Sequence, residues 1–419
     1  MRLSLRDGSL RPMATSLGKV AATGYAAPAA ARAVAADTTA PPWYLYAVAI
    51  AATSVVVGII WDISWHMTIG RDTFWTPAHM CTYLAAAIVG VTCGYVALKT
   101  TFAGTVEDRG RAMPLWGFRA PLGAWICVWG SFAMLTSAPF DDWWHNAYGL
   151  DVKIISPPHT LLILGMVSIV IGAMVWTLAW QNRVDDAALR RRLERLFVYD
   201  AGLLVSMAGI FIYEYTNRVR MHDTLVYRVA GMTFPLFLLA AARGSTMRWP
   251  ATLASLVYMG VRILMGWILP LWSASPKLGP IYNPLTHMAA MQFPLLLVVP
   301  AVAIDLLMQR LGKDGSSRRD WATAPLYGAV FVLALFAVQW PFASFLMSPA
   351  AHNWVFFAGR DLSYAVPPTS RIWNNQFFRN PAESTWLPLA KGLFVAVLFA
   401  ALSSRLGLAW GRWMKQVRR

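Results

Sequence analysis

From Pro42 onward the chain is a succession of apolar runs, each close to the roughly 20 residues that a helix needs to cross about 30 Å of hydrocarbon. The runs fall at 42–61, 80–98, 120–138, 160–180, 196–213, 224–242, 250–272, 287–307, 322–348 and 387–404, with Arg228 and Pro235 interrupting the sixth. The pattern predicts an all-α polytopic membrane protein with about ten transmembrane helices. Composition excludes a soluble enzyme or a disordered scaffold. Of the 419 residues 57% are apolar or aromatic and 13% are charged, where soluble domains carry about 25% charged residues.

The net charge of +16 would point to nucleic acid in a soluble chain. Here the basic residues sit between the apolar runs, in clusters such as Arg190–Arg195, Arg310–Arg319 and Arg405–Arg419. In those gaps they orient a membrane protein. The asymmetry predicts both termini in the cytoplasm, the lipid bilayer as partner and no nucleic acid, in a bacterial cytoplasmic (inner) membrane. Residues 1–41 are rich in Ala, Arg, Ser and Pro without a continuous apolar core, and read as a flexible cytoplasmic tail. Cys81, Cys93 and Cys127 lie in apolar stretches without C-x-x-C spacing, which argues against disulfides and thiolate metal sites.

The chemistry is concentrated in the first two predicted external loops. The first contains Asp62, His66, Gly70, Arg71, Asp72 and Thr76-Pro77-Ala78-His79; the second contains Asp141, His145, Gly149, Asp151 and Ser156-Pro157-Pro158-His159. Asp62, His66, Gly70 and Asp72 recur 79 residues later, and His79 recurs 80 residues later as His159. An internal repeat of a helix–outer loop–helix unit accounts for this. Asp at i and His at i+4 share a helical face, and a histidine just after the proline that opens the next helix can fold back over that pair. Four of the seven histidines of the chain fall in these two triads. Two imidazoles and a carboxylate suit one borderline divalent or cuprous ion with an open position. Asp72 and Asp151 are candidates to orient a ligand imidazole, and Arg71 is a candidate to do so or to pair with Asp72 and pin the loop.

The string His66-x-x-x-x-Arg71-Asp72-Thr73-x-x-Thr76-Pro77-x-His79 resembles a motif of the C subunit of the copper-containing membrane monooxygenases, the particulate methane and ammonia monooxygenases. Asp62, His66 and His79 have the intervals of one copper site of that subunit. Asp141, His145 and His159 have those of its second cluster, with aspartate where the family has asparagine. The resemblance covers about residues 55–180, so 42–180 reads as a C-subunit-like four-helix region and 181–419 as six further helices with a long external loop at 349–386. It implies copper as cofactor (zinc binding the same donors in vitro), activation of dioxygen, oxidation of a small apolar substrate, and either other monooxygenase subunits or a second copy as partners. The metal sites would face the periplasm. The alternative from another class is a membrane copper or zinc transporter, or a metal-storage protein.

Ionisable residues inside apolar runs are costly and are functional candidates by default. Arg262 predicts an ion pair with Asp200 or Glu214, whereas Asp305 and Lys391 lie near run ends and are expected to snorkel. Glu214 and His222, on the predicted outer side, are candidates for an extra ligand or proton relay. His287 and His352 are solitary, with no carboxylate at ligand spacing. The aromatic-rich stretch 349–386 is expected to lie on the membrane surface or to lid the outer face.

Overall fold

The computed structural model describes residues 40–149, 156–378 and 385–419; the predicted N-terminal tail and Asp151 lie outside them. The helices are α1 (Trp43–Thr68), α2 (Pro77–Leu98), the short α3 (Val106–Arg111), α4 (Leu122–Tyr148), α5 (Pro157–Gln181), α6 (Ala187–Phe211), α7 (Thr224–Gly244), α8 (Pro250–Ile268), α9 (Val298–Leu311), α10 (Ser317–Leu346) and α11 (Trp386–Met414). A two-stranded antiparallel hairpin, β1 (Met113–Leu115) with β2 (Phe118–Ala120), joins α3 to α4. Among the described residues eight helices are long and apolar enough to cross a membrane: α1, α2, α4, α5, α7, α8, α10 and α11. This is an integral membrane protein.

Two of the ten predicted spans do not meet that standard. The run 196–213 is helical, but α6 begins earlier, and Glu194, Arg195 and Asp200 interrupt its apolar part. The run 287–307 differs more. Only its second half is helical, and α9 has just 14 residues. Residues 287–297 are instead an extended segment, exposed at His287 and mostly buried from Met288 onward. Pro284 and Pro294 disfavour a helix there, and side chains replace the missing helical hydrogen bonds. Thr68 Oγ1 accepts from Ala289 N, while Ser64 Oγ donates to Ala289 O. Tyr258 Oη accepts from Leu295 N, Gln339 Oε1 accepts from Leu296 N, and Arg262 donates to Gln292 O. Non-helical backbone at membrane depth is tolerated only when protein satisfies it in this way.

Small residues bring α4 and α5 together. A Cβ on Gly130 would lie 2.8 Å from Gly165 O, and one on Gly165 would lie 2.8 Å from Gly130 O. Close backbone approach of this kind is the usual means of helix association in lipid. Across the other face of α4, Ser131 Oγ donates to Ala86 O of α2. These contacts hold the C-terminal ends of α1 and α4 beside the N-terminal ends of α2 and α5.

The other intramembrane charges also find partners different from those expected. Asp305 does not snorkel. It is buried and accepts from Ala251 N, Thr252 N and Thr252 Oγ1, capping the start of α8. Arg262 pairs with neither Asp200 nor Glu214: Asp200 accepts from Thr177 Oγ1, and Glu214 is exposed.

Candidate metal centres

Asp62 and His66 occupy the last two turns of α1 on one face. Gly70, with φ 82°, ends the turn that follows, and Trp65 Nε1 donates to Arg71 O at 3.0 Å, drawing the loop back over the helix end. A turn closed by Thr76 N on Thr73 O and Thr73 N on Thr76 Oγ1 leads into α2, where Pro77 takes the first helical position. His79, in the first turn, then reaches the pair. Its Nε2 is 3.1 Å from Asp62 Oδ1, and His66 Nε2 is 3.8 Å from Asp62 Oδ2.

Asp72 belongs to the cluster itself. Its Oδ2 lies 3.5 Å from both His66 Nε2 and His79 Nε2, so it sits among the candidate ligands instead of behind them. Four donors at 2.0–2.2 Å from a central ion in tetrahedral array stand about 3.3–3.6 Å apart. The observed separations bracket that value. The Arg71 side chain is exposed and forms no ion pair with Asp72 among the described residues. Its carbonyl, not its guanidinium, pins the loop.

The second centre is built the same way. Asp141 and His145 end α4, Gly149 (φ 87°) follows, and Ser156 Oγ accepts from His159 N at the start of α5. His145 Nε2 and His159 Nε2 lie 3.3 and 3.4 Å from the two oxygens of Asp141. In each triad one donor atom per residue falls within 4.8 Å of the others.

Backbone contacts fix the ring orientations in these clusters. His79 Nδ1 is 2.9 Å from Thr73 O, and His145 Nδ1 is 3.3 Å from Gly149 O. A carbonyl only accepts, so each Nδ1 carries the hydrogen; a neutral ring then turns its Nε2 lone pair to the carboxylate, whereas a protonated ring donates from Nε2 as well. Lone pair facing carboxylate is repulsive unless a cation lies between. Asp62 Oδ1 is buried 3.1 Å from His79 Nε2, a separation that a proton or a shared metal ion can bridge. These residues fit a metal.

Comparison with protein-family models, curated proteins and solved structures finds no match. The site therefore rests on its own geometry.

Glu214 and His222 take no part in either triad. Glu214 is exposed on a short 3₁₀ turn. The His222 ring is stacked between Trp340 and Phe377, with centroids 4.1 and 3.8 Å away, and its Nε2 meets Trp340 O at 3.0 Å. The sequence reading missed Tyr83, one turn beyond His79. It lies within electrostatic reach of Asp62, Asp72, Asp141 and Asp142, as His159 does of Asp62. The two centres are thus neighbours, and nothing in the spacing of either motif foretold it.

Gly70 carries a further constraint. A Cβ there would meet Tyr364 Oη at 2.3 Å, on a backbone that L side chains rarely adopt. Gly70→Ala is expected to cost about 1–3 kcal/mol and to weaken metal binding at the first centre, leaving the second intact. Thermal unfolding with metal titration of each centre checks this.

Proposed function

We propose that both centres bind copper and that the protein is a copper-dependent membrane monooxygenase, or a subunit of one, resembling the C subunit of the particulate methane and ammonia monooxygenases. The observation that carries this is the convergence of two imidazole Nε2 atoms and carboxylate oxygens in each cluster, with His79 and His145 oriented by backbone carbonyls through Nδ1. Two imidazole nitrogens with carboxylate oxygens suit Cu(II) and, in vitro, Zn(II).

Bound copper would supply the one-electron chemistry that activates dioxygen. The chain supplies the rest. Asp62 and Asp72 together offset the charge of a divalent ion at the first centre. Thr73 O and Gly149 O fix the imidazole orientations. The His66 side chain is 47% exposed, which leaves that flank of the first centre open to a small reactant. Aromatic surfaces border both centres: Phe74 packs against Trp75 and Tyr83, and Phe140 against Trp143 and Trp144. They favour a small apolar substrate. Trp75 and Trp143 are exposed, as interfacial tryptophans are, which supports centres at the membrane rim; the basic clusters of the sequence favour the periplasmic side of a bacterial inner membrane, with both termini inside. A transporter needs ligands at several depths. Among the described residues the only metal-ligating groups are these two, at one end of the bundle, which favours fixed centres over passage or storage.

The test is elemental analysis and electron paramagnetic resonance of protein purified in lipid, for the parent, His66→Ala and His145→Ala. Loss of about one copper per substitution supports two independent centres. Unchanged copper content in both variants overturns the reading.

A further inference from the structure

A second polar site lies away from the metal centres, beside the extended segment 287–297. Arg262 is deep in α8, about 18 Å along the axis from its first residue, and is only 5% exposed. One of its nitrogens donates to Gln292 O at 2.9 Å. Among the described residues no carboxylate lies within salt-bridge distance of it. A buried guanidinium with a neutral carbonyl as its sole protein acceptor retains an uncompensated charge.

Arg262 lines a small cavity together with Tyr213, Thr216, Tyr258, Gln292 and Leu295. Two of the other lining side chains have a hydrogen to donate. Tyr258 Oη already accepts from Leu295 N, so its own hydrogen is available elsewhere. Gln292 Oε1 accepts from Arg218 N, which fixes the amide orientation and leaves its NH₂ group to donate. The room is ≈ 10 Å³, about that of one water-sized sphere.

We infer that this cavity is a binding site for a small monovalent anion of halide size, held by the Arg262 guanidinium with the Tyr258 hydroxyl and the Gln292 amide. The anion neutralises the Arg262 charge, and it ties α8 to the extended segment through Arg262 and Gln292. Organic anions such as gluconate are too large to enter.

Thermal unfolding of the purified protein is followed as chloride replaces gluconate at constant ionic strength. The expected result is a saturable rise in midpoint with chloride. In Tyr258→Phe, which keeps the packing of the ring, the chloride concentration for half-effect rises about tenfold, as for loss of a hydrogen bond to a charged group. In Arg262→Gln the chloride dependence disappears. No chloride-specific rise in the parent, or the same chloride dependence in parent and Tyr258→Phe, overturns the site and leaves the cavity to water. The readout does not involve the metal centres, so it stands or falls apart from the copper reading.

Discussion

Copper or zinc titrated into the metal-stripped protein is expected to raise its stability by about 4 kcal/mol per centre once free metal reaches 1,000 times Kd. At the first centre two carboxylates, Asp62 and Asp72, and two imidazoles converge at 3.1–3.8 Å. Unfolding disperses them, so a metal that needs all of them binds the folded state alone. His79→Ala removes the ligand that joins α2 to α1 and is expected to abolish the stabilisation at the first centre, leaving that of the second. His159→Ala does the converse. Protons compete for the Nε2 lone pairs, so affinity falls on acidification and binding releases protons. The measurement is the unfolding midpoint against metal concentration at two pH values. A midpoint that ignores metal in the parent sinks the proposal. A response that persists undiminished in the His79→Ala, His159→Ala double variant places the metal elsewhere.

How much of this was legible in the sequence depended on how local each interaction is. Asp62 with His66, and Asp141 with His145, are one helical turn apart, so spacing alone put them on one face. Pro77 and Pro157 mark helix starts, which placed His79 and His159. The role of Asp72 was only half visible, because loop conformation and not helical period sets its position. Trp65 Nε1 on Arg71 O and the positive φ of Gly70 turn it inward. Tyr364 covers Gly70 from nearly 300 residues away, beyond any local pattern.

The same distinction explains the run 287–307. Hydropathy reports that a segment is buried, not that it is helical. Met288, Ala289, Ala290 and Met291 are as buried as any helix core, yet they are extended, because Ser64, Thr68, Arg262, Tyr258 and Gln339 on other helices satisfy the backbone. Ser64, Thr68, Tyr258 and Gln339 read as incidental polar positions in apolar runs, and Arg262 as one half of an ion pair. Their function is collective and appears only once the helices are assembled. Prolines 284 and 294 were the one sequence signal against a helix, and an apolar window average hides them.

The ion pair Arg218–Asp361 is expected to be the most sensitive link between the outer loops and the bundle. Arg218 Nε and a second guanidinium nitrogen reach the two oxygens of Asp361 at 2.9 and 3.3 Å, with both side chains at most 3% exposed. The same guanidinium donates to Asn375 Oδ1 and Ile372 O, and the backbone N of Arg218 holds Gln292. One side chain therefore joins the turn before α7 to both ends of the 361–375 stretch, while its backbone holds the extended segment. Removing a single member strands the other charge in a buried setting, which typically costs about 3–5 kcal/mol. Arg218→Met and Asp361→Leu are each expected to lose that much, and the double variant less than the sum, because it strands no charge. Hydrogen exchange should rise first at 361–378 in the single variants. That stretch carries Tyr364, whose N donates to Met67 O beside His66, so loosening it should also weaken metal binding at the first centre and spare the second. Additive losses in the double variant, or unchanged exchange at 361–378, would show that the pair does not anchor this loop.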